Sequence, residues 1–153
     1  MNRINLFFER FKSHNNKPDA TYKEAFFFDL TKESASHLLE LVLSGKKKAT
    51  ASSFHAYQIE NEELPKIGEY SIVTDFDGKP YAVIQTKAIT ILPFNEMTYE
   101  ICMREGEDDT LLSWQNNHVH FFTEEGKLLG YIFDEHMLVI FEDFEVVYQE
   151  DGR

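Results

Sequence analysis

Tyr70-Ser-Ile-Val-Thr-Asp-Phe-Asp-Gly-Lys-Pro-Tyr-Ala-Val-Ile-Gln-Thr-Lys-Ala-Ile-Thr-Ile-Leu92 stands in the middle of the chain. Its two ends are rich in Val, Ile, Thr and Tyr, which fit a pleated, half-buried surface. Between them lies Asp77-Gly78, a pair suited to the positive φ of a tight hairpin turn. The reading is a strand over 70–74, a turn, and a long antiparallel strand over 81–92, which Pro93-Phe94 ends. An antiparallel hairpin is therefore the centre of the fold.

Upstream, Leu64-Pro-Lys-Ile-Gly68 reads as a turn and Ala49 to Ser53 as extended. Thr31 is an N-cap, with Glu33 in the first turn where the helix dipole favours an acid. The helix it opens buries Leu38, Leu41 and Val42 and stops at Gly45, followed directly by Lys46-Lys47-Lys48. Ile4, Phe7, Phe8 and Phe11 sit at helical spacing in a first helix, and Ser13 to Lys23, with Pro18, is a loop. Downstream come two short helices, Thr98 to Arg104 and Thr110 to Phe122. Leu111, Trp114, His118, Phe121 and Phe122 share a face of the second. Lys127 to Phe133 and Met137 to Tyr148 read as closing strands. Central strands decorated by helices predict an α+β domain on a curved antiparallel or mixed sheet.

The bulk numbers agree. The chain has 153 residues, 42% hydrophobic and 14% aromatic, enough for one packed domain without staples. One cysteine, Cys102, allows no intrachain disulfide and reads as a small buried residue. No signal peptide and no apolar run of about 18 residues is present, so a cytoplasmic, soluble protein is expected. Fifteen Lys and Arg against 27 Asp and Glu give a formal charge of −12. Such a chain repels nucleic acid at long range, so a nucleic-acid ligand needs a local basic patch or little backbone charge.

Gly-rich phosphate loops and the Gly-x-Ser-x-Gly nucleophile turn are absent. His118 and His120, two apart on a helix, diverge, and no metal or other cofactor is implied. Two segments carry chemistry. Gly45-Lys-Lys-Lys-Ala-Thr50, then Ala51-Ser52-Ser53, offers an ammonium and hydroxyls after a helix end. Arg104-Glu-Gly-Glu-Asp-Asp109 offers carboxylates in a loop.

In this order they resemble the ASCH domain, a relative of the PUA fold, whose signature Gly-x-Lys-x-x-Thr is matched by Gly45, Lys47 and Thr50. The longer bacterial ASCH proteins are resembled in Leu41 to Ser52, Leu64-Pro-Lys-Ile-Gly-Glu-Tyr70, Phe94-x-x-Met97, Arg104-Glu-Gly-Glu107, and Trp114 to His118 with Phe121-Phe122. Gln115 stands where those relatives commonly carry Arg, a charge that a phosphate would use. The resemblance divides the chain into an N-terminal helix and loop (1–25), an ASCH domain (26–148) and a C-terminal tail (149–153). It implies a PUA-like β-barrel with surrounding helices and a cleft beside the signature loop. The family is linked to RNA metabolism. Some small bacterial members hydrolyse the acetyl amide of N4-acetylcytidine with the signature Lys and Thr and a Glu. Here these are Lys47, Thr50 and Glu105, with Glu107 the competing acid.

Amide hydrolysis needs a nucleophile, a proton carrier and an oxyanion contact. Thr50 offers the hydroxyl. Lys47 acts as its base only if burial or positive neighbours, Lys46 and Lys48, lower its pKa from about 10.4. Left charged, it contacts an oxyanion or phosphate. Residues 47 and 50 of an extended segment face opposite ways, so this one must bend. Glu105 can move the proton to the leaving amine. Gly45, Ser52, Ser53, Trp114 and His118 are candidate substrate contacts; the two rings either stack on a base or pack in the core, as do Tyr57 and Tyr70. The ligand is then a nucleoside-like small molecule or a short RNA, with no membrane partner. Three functions fit: an RNA- or nucleoside-binding module, an amidohydrolase on an acylated nucleoside, and a ribonuclease. The acidity favours the nucleoside. The aromatic first helix packs either on its own barrel or on a second subunit, which would make a homodimer.

Overall fold

The computed structural model describes residues 2–150. Met1 of the N-terminal segment and residues 151–153 of the expected tail lie outside the described residues. Asn2 caps α1 (Arg3–His14) by accepting from the Asn5 amide, and the helix buries Phe7, Phe8 and Phe11. Those rings meet Ile72 and Val83, so α1 packs on its own sheet. A strand, β1 (Tyr22–Phe26), follows. The sequence reading placed a loop there up to Lys23; the strand forms because it pairs in parallel with a distant segment around Tyr70. Helix α2 (Lys32–Leu43) begins at the expected cap, Thr31, which accepts from the Ser34 amide. Its buried residues are Ala35, Leu38, Leu39 and Val42, with Leu41 only half-buried.

β2 (Ala49–Ser53) runs straight into a short helix, α3 (Phe54–Ile59), which the sequence reading lacked. Ser53 is its cap, accepting from the Ala56 amide at 3.0 Å. The predicted hairpin is β3 (Tyr70–Thr74) and β4 (Pro80–Pro93). A short turn of helix and α4 (Tyr99–Cys102) lead to the acidic loop, then to α5 (Leu111–Leu129). That helix corrects the expected strand at 127–133. It continues past Phe122, with Gly126 inside it, to Gly130, whose φ of 96° ends it, and 131–133 is irregular. β5 (Leu138–Gln149) closes the chain.

The sheet order is β1-β3-β4-β5-β2, parallel between β1 and β3 and antiparallel elsewhere. This is the mixed sheet expected, with the architecture α+β. It does not close as a barrel: β1 and β2 are its two edges, and the seam between them stays open. No helix among the described residues is long and apolar enough to cross a membrane.

Candidate active site

The signature segment is shaped by the end of α2. The Gly45 amide donates to Val42 O (3.1 Å) and the Lys46 amide to Leu41 O (2.9 Å), with Gly45 at φ 83°. This is the left-handed glycine stop, and it turns the chain sharply before β2. The Lys47 side chain then folds back along the strand, and Nζ donates to Ala49 O at 2.8 Å. The chain thus bends just before β2, and Lys47 and Thr50 line one hollow.

The acidic loop rests on that bend. The Lys48 amide donates to Arg104 O at 3.1 Å. Gly106, at φ 71°, is so close that a Cβ there would lie 2.1 Å from Lys46 O. The two segments touch backbone to backbone, which carries Glu105 and Glu107 to Lys47.

These residues form a buried charged cluster. Lys47 is 1% exposed and Glu105 2%. Lys47 Nζ lies 3.4 Å from Glu105 Oε2, forms a short contact to Glu107 Oε2, and sits 5.0 Å above the Phe28 ring. Glu105 Oε1 accepts from the Trp114 indole N–H at 2.7 Å and lies 3.3 Å from His118 Nε2. His118 Nδ1 is 2.9 Å from Trp114 O, so both ring nitrogens face acceptors, an arrangement suited to the imidazolium. Burial opposes charge on His118, but Glu105 outweighs it and raises the pKa. Lys47 behaves likewise: burial disfavours the ammonium, Glu105 and Glu107 outweigh that, and its pKa rises. Burial also works against the Glu105 carboxylate, yet Lys47 and His118 hold it below the ordinary range. Burial pushes Glu107 up to about 7, with Glu105 adding repulsion. Its side chain is 20% exposed.

Three adjoining hollows surround the cluster. A small one of about 90 Å³, the throat, is lined by Lys47, Thr50, Glu105, Glu107, Asn117 and His118 among others. A lobe of about 520 Å³ occupies the seam between β1 and β2, with Glu24, Thr50, Ser52, Tyr57 and Glu142 in its walls. A second lobe, about 830 Å³, lies between α2 and α5 and shares Glu107 and Asn117 with the throat. Asp29 and Phe121 border all three.

Residues 24–148 match the ASCH-domain family. The chain belongs to that family. Similar solved structures include an ASCH domain from Lactobacillus crispatus JV V101, with 32% identity, TM-score 0.88, and 96% of this chain and 95% of that one covered. Another is a protein of Enterococcus faecalis V583, with 33% identity, TM-score 0.87, and coverage of 94% and 87%. No curated protein matches the chain. The fold is thus the PUA-like fold of ASCH domains, here with an open sheet.

In this ASCH domain Lys47, Thr50, Glu105, Glu107 and His118 meet at one hollow. Ser52 faces the larger seam lobe instead. Gly45 is exposed and lines neither; it is the helix stop and borders a separate hollow of about 300 Å³ with Lys47 and Phe144. Ser53 is fully buried as the α3 cap and donates to Glu125 at 2.9 Å. Trp114 is fully buried between Phe94 and His118, with its N–H committed to Glu105. It is therefore core, not a platform for a base. Tyr57 lines the seam lobe, whereas Tyr70 packs on Phe11. Cys102 is buried, as expected. Lys46 and Lys48 are exposed and do not lower the Lys47 pKa, which favours the charged one of the two readings the sequence left for Lys47. Sequence reasoning missed Glu24, Phe28, Asn117 and Glu142, which carry no local signal and line these hollows, and it named Phe121 only as a helix-face residue.

Proposed function

We propose that this ASCH domain hydrolyses the acyl amide of an N-acylated nucleoside, with the scissile carbonyl in the throat. The observation that supports it best is the buried cluster in which one fixed ammonium faces two carboxylates of unlike character beside a hydroxyl. Glu105 has both oxygens engaged and holds Lys47 and His118 in place. Glu107 is the more exposed acid and titrates near neutrality, as a proton carrier should. This reading prefers Glu107 to Glu105 as that carrier.

Thr50 Oγ1 attacks the acyl carbon as Glu107 takes its proton, and the carbonyl oxygen becomes an oxyanion. Lys47 donates to Ala49 O, Glu105 and Glu107. Once Glu107 is protonated its hold on Lys47 weakens, and that N–H turns to the oxyanion. The C–N bond breaks, Glu107 returns the proton to the leaving amine, and water then cleaves the Thr50 ester to release the carboxylic acid. The seam lobe suits the nucleoside, with Tyr57 and Phe121 for the base and Glu24 and Glu142 for ribose hydroxyls. Glu24, Glu62, Glu69 and Glu142 against Lys23 in its walls repel a phosphodiester backbone, which disfavours the RNA-module and ribonuclease readings.

The test is release of cytidine from N4-acetylcytidine by the purified, folded protein. Turnover lost in Thr50→Ala and Glu107→Gln is expected; absence of turnover at high enzyme concentration removes this function. Glu107 must begin ionised, so kcat/KM is expected to rise as pH passes about 7 and then level off. A profile flat from pH 5.5 to 8.5 would remove Glu107 from the role.

A further inference from the structure

The lobe between α2 and α5, about 830 Å³, has far more room than an acetyl group fills. Leu30, Leu38, Phe121 and Leu128 contribute apolar walls, while Glu107 and Asn117 form its inner end and also line the throat. Leu128 is 71% exposed and Leu30 37%, so apolar surface stays in water in the walls of this lobe. Thr50 borders the throat and the seam lobe but not this one. The throat thus opens on two sides. An N-acetylated nucleoside would occupy the seam side and leave this lobe, with its four apolar residues set among polar ones such as His37, His120 and Lys127, empty.

The geometry points to an acyl-chain subsite in this lobe: the substrates are N-acyl nucleosides whose acyl group is longer than acetyl. This rests on the amide-hydrolase reading. The bond changes are the same. Water's oxygen ends on the acyl carbon, the C–N bond breaks, and the products are a longer carboxylic acid and the free amine. Burying each added methylene against Leu30, Leu38 and Leu128 favours the bound state by about two- to fourfold.

The experiment compares N4-acetyl-, N4-butyryl- and N4-hexanoylcytidine, measuring kcat/KM and, separately, Kd by calorimetry with the Glu107→Gln protein. Hexanoyl is expected to exceed acetyl by at least about tenfold in kcat/KM and in affinity. Ser34→Trp, which fills the lobe, and Leu128→Glu, at an exposed position, are expected to reduce that preference at least fivefold. Rates and affinities that fall as the chain lengthens overturn the subsite, as does a preference that neither variant changes. If no substrate turns over, the hydrolase reading fails, and the affinities alone decide the subsite: tighter hexanoyl binding that the two variants weaken supports it, and equal or weaker binding overturns it.

Discussion

Lys47→Met is expected to abolish hydrolysis and to destabilise the fold by about 3–5 kcal/mol, the usual result of removing one member of a buried ion pair. At roughly 2–4 °C per kcal/mol for a chain of this size, the melting temperature falls by about 6–20 °C. The reason is what remains. Methionine fills the volume, but Glu105 and Glu107 stay inside without their shared cation, and Glu105 keeps only His118 and the Trp114 N–H. Burial and mutual repulsion then raise both carboxyl pKa values above their unfolded values. Acids raised in this way favour folding below about pH 4.5, and that contribution is lost as pH rises through their folded values. The deficit of Lys47→Met relative to the native chain should therefore be larger at pH 8 than at pH 5. Adding Glu107→Gln removes one stranded charge and should recover at least about 1 kcal/mol, a coupling typical of residues in one network. Thermal melts of the single and double variants at both pH values measure this. A Lys47→Met protein that melts with the native chain would mean that the cluster is not the charged assembly described.

What could be read from the residues, and what could not, divides by range. Thr31, Gly45, Asp77-Gly78 and the β-branched run after it act on their immediate neighbours, so helix α2, its stop and the central hairpin were legible. Tyr22–Phe26 was not, because Lys23 and Glu24 interrupt its apolar pattern and its parallel partner β3 is far along the chain. Lys127 to Phe133 read as a strand, but its first residues continue α5. Gly126 is helical, and a Cβ there would meet Tyr131 O at 2.3 Å, so the glycine serves close packing rather than a break. In the site, the spacing of Gly45, Lys47 and Thr50 with the acidic loop pointed to Lys47, Thr50, Glu105 and Glu107, which the fold brings to one hollow. The protonation of Lys47 was out of reach. Its neighbours Lys46 and Lys48 suggested a lowered pKa, but both point outward, and an acid 58 positions away reverses the sign. For Trp114 the residues left two readings, stacking on a base or packing in the core; its burial depends on Phe94 and His118, which only the folded chain assembles.

Gly106→Ala is expected to lower turnover by about a hundredfold or more, although the residue has no side chain and touches no substrate. Displacements near 1 Å in a catalytic array have effects of that size. Two separate effects act at this position. An L-residue held at φ 71° is strained, and its methyl would press on Lys46 O at 2.1 Å and Lys46 C at 2.6 Å. Both are backbone atoms, so no rotamer change relieves the clash. Strain and overpacking together come to about 2–5 kcal/mol. The loop must therefore lift, stretching the Lys48 amide to Arg104 O bond and drawing Glu105 and Glu107 away from Lys47. Gly130→Ala separates the two effects. Gly130 has φ 96° with nothing within 4 Å of a Cβ, so it carries the dihedral strain alone, at the end of α5. It should lose about 1–2 kcal/mol of stability and keep its turnover and pH profile. In Gly106→Ala the rise near pH 7 should shift downward as well, because Glu107 retreats toward solvent and its pKa returns toward 4.5. If the two alanine variants behave alike in stability and turnover, close backbone contact is not what aligns the acidic loop with Lys47.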